Sequence, residues 1–448
     1  MGINRRLLRP VAGLRRRLRH IPAMPGLRRR LAIAVGVALL ILVADYFAGN
    51  LSFPIFDSSA DLGLQAFIKD FYDSDSDRPE IYSVNTSHDT ALAAAIEYGD
   101  TTGYVAVSDR FRILDFLRIA ARADYRYIIL DIRFEDTLRA PGDSLLFAQI
   151  ASMPRIVFSR HREEADDDAP APRPECLDAI SGRGAFADFR STWTDGFSRY
   201  EFLQDGNESV ALRLYSDVDG RSISPTWWGG YVDSDGSLCR NMQFIPFPKS
   251  SSESIGEMGE IRHRYLGHHV LGMNTPDELR QQLDGKVILI GNFDDDRHDT
   301  YIGDVPGTLI QYYAWKLLQR GGHKINWWLQ IFLFVFYTLS VLAIISPCAV
   351  YRPQRLFMVI VKALVGWSLV FFILKSLIYW LTGQSFITLI PALTFTTLTI
   401  LTTISATRRP QSTPVPPRPP VPRRSPSGAQ KHPPHKCPSF WRHPTFCK

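Results

Sequence analysis

The densest run of groups able to do chemistry is residues 292–304 (NFDDDRHDTYIGD), where Asp294, Asp295, Asp296, His298 and Asp299 occupy neighbouring positions. Oxygen-rich donors of this kind suit a hard divalent cation, Ca²⁺, Mg²⁺ or Mn²⁺, or a cationic ligand. The spacing departs from the EF-hand pattern, which needs ligands at alternate positions, a mid-loop glycine and a distal glutamate. A solvated acidic turn in which Asp296 or Asp299 caps the following segment accounts for the same residues. Asp131 joins the set because it closes an apolar run, residues 127–132 (YIILDI), just as the acidic loop follows the run VILI at 287–290. Ligands of open α/β sheets collect at the carboxyl ends of strands, so Asp131, Asp296, His298, Asp299 and Thr300 are the candidate ligand-binding residues. Asp294, Asp296 and His298 are the candidate metal ligands, and a divalent cation is the cofactor they would imply. His263, His268 and His269 (RHRYLGHH) invite a transition metal, but no cysteine or carboxylate stands at matching spacing, which favours surface histidines. The chain has no GK[ST] phosphate loop, no GxSxG elbow and no HExxH helix, so no catalytic residue is assigned.

These residues need elements to position them. Continuously apolar runs such as 127–132 and 287–290 read as strands covered on both faces, with weaker strands at 81–84 and 155–158. Residues 109–123 space Phe111, Leu114, Leu117 and Ala121 as a helix, with Ser108 as its expected N-cap. A strand, a helix and a parallel strand in that order make a crossover unit. Helices at 276–283 and 306–318 flank the VILI strand. The expected fold is therefore an α/β domain with a mainly parallel sheet. Residues 160–265 are less regular, and 161–174 (HREEADDDAPAPRP) and 249–260 (KSSSESIGEMGE) read as surface loops.

Charge divides the chain. Every acidic residue lies between Asp45 and Asp304, whereas residues 1–30 carry ten arginines and residues 326–448 carry 13 Lys+Arg. The net charge of +6 hides a central region of 28 Lys+Arg against 45 Asp+Glu. Nucleic-acid binding would want a basic patch on the folded part and is not expected. A helix needs about 20 apolar residues to cross the roughly 30 Å hydrocarbon layer. Four stretches qualify: 31–48, 327–346, 356–380 and 385–406. Lys and Arg are retained on the cytoplasmic side of short loops. Four crossings place residues 1–30, Arg352 with Arg355, and the tail 407–448 on that side, and residues 49–325 outside. Trp327, Trp328, Tyr379 and Trp380 then fall at the outer interface, which favours aromatic rings. The first stretch also has the length of a signal-peptide core, although no small-x-small cleavage site precedes the acidic region. Lys362 and Lys375 in the third stretch suit snorkelling to opposite interfaces, with a transport role as the alternative. Cys176 and Cys239, the two external cysteines, are a candidate disulfide in an oxidising compartment. The tail, rich in Pro, Arg and Lys, has polyproline II and disorder as its expected states.

Four segments resemble the second class of CHASE domain, an extracytoplasmic sensory module found ahead of cyclases and kinases. They are 112–134 (RILDFLRIAARADYRYIILDIRF), 218–227 (VDGRSISPTW), 286–291 (KVILIG) with Asp296, His298 and Thr300, and 305–318 (VPGTLIQYYAWKLL). The resemblance spans about 45–325 and implies one span before the domain and three after it, as here. It implies a sensor in the bacterial cytoplasmic membrane that detects a small molecule or envelope condition. The tail 407–448 is too short for a kinase or cyclase, so the expected output is a separate signalling protein; a homodimer is compatible with this arrangement. The alternatives are a metal-dependent extracytoplasmic hydrolase centred on Asp131, Asp296 and His298, and a scaffold without a ligand.

Overall fold

The computed structural model describes residues 26–50, 80–97, 100–134, 138–160, 180–188, 199–204, 206–245, 247, 263–300, 303–346, 356–382 and 389–407. The loops at 161–174 and 249–260, Cys176, and the basic segments 1–25 and 408–448 lie outside them.

Among the described residues, six strands form the central sheet: β1 (Ile81–Asn85), β2 (Tyr127–Asp131), β3 (Ile156–Arg160), β4 (Gly184–Phe186), β5 (His263–Tyr265) and β6 (Val287–Gly291). Their order is β5-β1-β6-β2-β3-β4, and every adjacent pair is parallel. β6, late in sequence, is inserted between β1 and β2, so the crossover from β1 spans two strand positions instead of joining neighbours. Helix α1 (Leu27–Gly49) precedes the sheet; α2 (Arg110–Ala120), α3 (Asp143–Ser152), α4 (Val210–Asp219), α5 (Pro276–Leu283) and α6 (Gly307–Gln319) lie along it.

Strand alternation sorts the core into two layers. Ile128, Leu130, Ile288 and Ile290 pack beneath Leu114 and Leu117 of α2, Ile150 of α3 and Leu279 of α5. Tyr127, Ile129, Val287 and Leu289 point the other way, beneath Leu214 and Tyr215 of α4 and Leu309, Tyr312 and Trp315 of α6. A strand buried on both faces has no polar side to show, which is why these runs are uninterrupted in sequence. Across the solvent side, a long hairpin pairs Thr90–Glu97 with Asp100–Ser108.

Helix ends follow local chemistry. α5 carries a full capping box, Thr275 with Glu278, and Pro276 at its first turn. α2 is capped by Asp109, whose carboxylate accepts from the Phe111 and Arg112 amides, and not by Ser108. Ser108 ends a strand, with its hydroxyl against that of Thr86.

Among the described residues, three helices are long and apolar enough to cross a membrane: α1, α7 (Trp327–Ile345) and α8 (Leu356–Thr382), with α9 (Leu389–Thr407) a shorter apolar helix. α1 begins before the expected Leu31 because Arg28–Arg30 are good helix formers and extend it. Ala34, Ala38 and Ile41 of α1 pack with Leu333, Tyr337 and Val341 of α7, Phe371 of α8 and Phe395 of α9. On α8, Lys362 is exposed and Lys375 buried.

Loss of the two capping bonds should make Asp109→Ala the more damaging of two neighbouring substitutions, by about 1 kcal/mol against a smaller effect of Ser108→Ala. Chemical unfolding of the full chain in detergent, followed by circular dichroism, measures the difference.

Candidate functional site

The carboxyl ends of the parallel strands bring Asn85 of β1, Gly291 of β6 and Asp131 of β2 side by side, through the registers Asn85 with Gly291 and Gly291 with Asp131. The central position has to be glycine. A Cβ there would lie 2.5 Å from Thr308 Oγ1 and 3.2 Å from the Asp131 carbonyl oxygen.

The acidic loop after β6 divides its carboxylates between two places. Asn292 organises the turn, its Oδ1 accepting from the amides of Asp294 and Asp295. Neither Asp296 nor Asp299 is the cap. Asp294 turns toward β1 and β5. It accepts from Asn85 Nδ2 at 3.0 Å, from the Ser87 hydroxyl and from Tyr265, with His263 Nε2 at 3.8 Å. Burial opposes its ionisation, but the bonds from Ser87 and Asn85 and the nearby His263 outweigh that and hold the carboxyl below the usual range.

Asp296 turns the other way. Its Oδ1 lies 3.3 Å from His298 Nε2. A Cβ on Gly307 would meet Asp296 Oδ2 at 2.9 Å, His298 Nε2 at 3.2 Å and Asp131 Oδ2 at 3.5 Å. Three expected site residues, Asp131, Asp296 and His298, therefore converge on the first turn of α6. The lack of a side chain on Gly307 leaves room for them. Asp131 itself accepts from Thr308 Oγ1 at 3.0 Å and from Gln311 Nε2 at 3.3 Å, and Gln311 Nε2 also reaches Ser159 Oγ at 3.3 Å. Gln311 is fully buried, and its Oε1 has no hydrogen-bond partner among the described residues.

Thr300 and Asp299 do not join this group. The Thr300 hydroxyl donates to the Gly303 carbonyl within a hairpin, and Asp299 is exposed opposite Asp304. Among the described residues no group of three or more His, Cys, Asp and Glu side chains is arranged to hold a metal ion. Thr308, Gln311 and Ser159 complete the group without any motif in the sequence to mark them. A Thr-x-x-Gln pair on an apolar helix gives no signal until the helix is laid across the strand ends. No protein-family model, curated protein or solved structure matches the chain.

A second buried polar group lies where the sheet domain meets α1 and α7. The antiparallel strands Ile223–Pro225, Tyr231–Asp233 and Leu238–Cys239 form its frame. Asp233 Oδ2 accepts from Tyr215 at 2.8 Å and pairs with His323 Nε2 at 2.8 Å, and Lys324 pairs with Asp235. Burial works against the Asp233 charge, but the bonds from His323 and Tyr215 prevail and its pKa falls to about 2. Burial likewise lowers the proton affinity of His323 more than Asp233 raises it, which leaves a neutral ring donating from Nε2. The end of α1 enters the same frame. Asp45 pairs with Arg240 at 2.7 Å, Tyr46 donates to the Cys239 carbonyl and accepts from the Tyr231 amide, and Asn50 accepts from the Asn241 amide. Cys239 is a buried free thiol whose pKa burial pushes up to about 12, while its candidate partner Cys176 lies outside the described residues.

Gly291→Ala should destabilise the full chain by about 1–3 kcal/mol, because the Asp131 backbone beside the new methyl cannot yield as a flexible side chain could; thermal unfolding in detergent reads this. The junction should weaken on acidification. His323 binds its proton less readily when folded, so stability falls as pH drops through the unfolded value near 6.5; Asp233 adds a further loss from about pH 3.8 toward 2. An apparent Tm measured against pH should therefore decline between pH 7 and 5 in the wild type and much less in His323→Gln.

Proposed function

We propose that the chain is a sensor in the bacterial cytoplasmic membrane, crossing it four times with the α/β domain on the extracytoplasmic side. The domain binds a small molecule and biases the helices, which convey the state to a partner protein. This is the function implied by the resemblance to the second class of CHASE domain, and the confinement of acidic residues to 45–304 between basic ends supports the orientation.

The observation that carries the reading is the placement of α6. Gly307, Thr308 and Gln311 on its first turns line the polar group at the strand ends, and its last turn leads through His323 into α7. One helix of about 18 Å thus runs from the polar group at the strand ends to an apolar helix. Asp131, Asp296 and the unpartnered Gln311 Oε1 present acceptors, which suits a ligand bearing ammonium or guanidinium donors. A ligand conveys something only if it distinguishes two arrangements of the domain, and a shift of α6 against the strand ends is the natural coordinate.

A second reading, a metal-dependent hydrolase, starts from the convergence of Asp131, Asp296 and His298, whose arrangement among the described residues is not that of a metal site. Thermal unfolding of the full chain in detergent, screened against ammonium and guanidinium compounds and divalent cations, separates the two. For the sensor, an organic cation should raise Tm by about 5–10 °C at 100 times its Kd, and Asp131→Asn should abolish that shift. Absence of any such shift, together with ester or phosphoester turnover that needs Mn²⁺ and vanishes in Asp296→Ala, would overturn the sensor in favour of the hydrolase.

A further inference from the structure

The junction carries an apolar feature that neither the sheet edge nor the buried ion pairs explain. The chain turns at residues 226–230 (TWWGG) between the strands Ile223–Pro225 and Tyr231–Asp233. Its two tryptophans part company. Trp228 folds back over Gly230, where a Cβ would lie 1.9 Å from the indole, and packs edge-on against Phe47 and tilted against Tyr46, at 6.1 and 5.7 Å between ring centroids. Trp227 projects outward with 97% of its surface exposed. An isolated exposed indole of this size has no gain from water.

We propose that the 226–230 turn is a membrane-surface anchor that seats Trp227 in the headgroup region of the bilayer beside the outer ends of α1 and α7. The proposal rests on the reading that these helices cross the membrane. Three observations point to lipid as the occupant. The first is continuity. Tyr46 and Phe47, against which the turn packs, belong to the last turn of α1, and α1 lies against α7, whose first turn exposes Trp327 at 62% and Trp328 at 82%. Four aromatic side chains thus cluster at one end of an apolar helix pair, where a bilayer places its aromatic belt.

The second is depth. From Arg30 to Phe47 α1 rises about 26 Å, close to the roughly 30 Å of a hydrocarbon layer. With Arg28–Arg30 held at one interface, Phe47 and the turn resting on it reach the other. The third is backbone satisfaction. The Thr226 amide donates to the Gly230 carbonyl, the Gly229 amide to the Thr226 carbonyl and the Gly230 amide to Thr226 Oγ1. With three of its five amides occupied internally, the turn enters a region poor in water at a lower desolvation cost than an open loop would. Arg221, Asp235 and Lys324 stand on the same frame, away from the turn tip, as the polar neighbours a headgroup layer accommodates.

The anchor would fix the frame against the membrane plane, so that movement of α6 is felt as displacement of α7 relative to α1. The full chain, labelled with 5-fluorotryptophan and reconstituted in phosphatidylcholine nanodiscs, tests this by ¹⁹F NMR, with resonances assigned by Trp→Phe substitution. Lipid carrying a nitroxide at acyl carbon 5 should broaden away most of the Trp227 signal, while lipid labelled near the chain end broadens Trp367 of α8 and neither touches buried Trp315. If Trp367 responds but Trp227 stays sharp to nitroxide lipid and is broadened by a soluble gadolinium chelate, the anchor is refuted and the spans stand. If Trp367 is also untouched by lipid, the spanning helices fail and the anchor falls with them.

Discussion

Two carboxylates buried between parts of the chain far apart in sequence govern this molecule. Asp45 near the end of α1 meets Arg240, and Asp233 meets His323 and Tyr215. Breaking the Asp45–Arg240 pair by removing one member costs about 3–5 kcal/mol, because the remaining charge stays out of water without a partner, and removing His323 takes a donor from the buried Asp233 carboxylate. Neither pair can be dissolved piecemeal. The consequence is mechanical: α1, the 223–239 frame and the connection from α6 to α7 are held as one unit, with Cys239 and Lys324 bridged through the backbone.

That unit explains why the two polar groups of the domain have different characters. At the strand ends the carboxylates of Asp294 and Asp296 are partly exposed, and Gln311 keeps an unused acceptor. At the junction, Asp233, His323 and Tyr215 are drawn into mutual contact under full burial, as the zero exposure of the His323 and Asp233 side chains illustrates. A site that must exchange partners benefits from incomplete satisfaction, and a coupling that must hold geometry benefits from the opposite. Trp315 and Gln319 of α6 both donate to Asp219 at the end of α4, so α6 is braced on its own layer between the two.

The sequence made the sheet legible because its strands are buried on both faces. YIILDI and VILI cannot be mistaken for amphipathic segments, and the cap and proline of α5 mark its start. Strand order was hidden, since β6 enters between β1 and β2 and nothing in a local window reports a neighbour about 160 residues away. The same limit hid the split of the acidic loop. Asp294 and Asp296 are two residues apart but separated by the sheet edge they straddle, so one apparent cluster became two sites. Ser108 looked like a cap because it precedes an apolar periodicity; Asp109 won because a carboxylate one position later reaches two amides while Ser108 is spent on the strand. Residues 160–265 looked irregular because their strands are two or three residues long, below the length at which alternation becomes a pattern.

On the proposed sensor reading, the direction of information flow would follow from stiffness. α6 is a single helix with apolar contacts along one side and polar groups at both ends, and a packed core passes on small displacements because it cannot absorb them. A ligand that drew Asp131 and Gln311 together would pull on the first turn of this helix. The hydrogen bond from His323 to Asp233 would transmit the pull to a frame that also grips α1. Since α1 and α7 pack on each other, only relative rotation or sliding of that pair remains as an output, and such movement needs no change in the sheet itself.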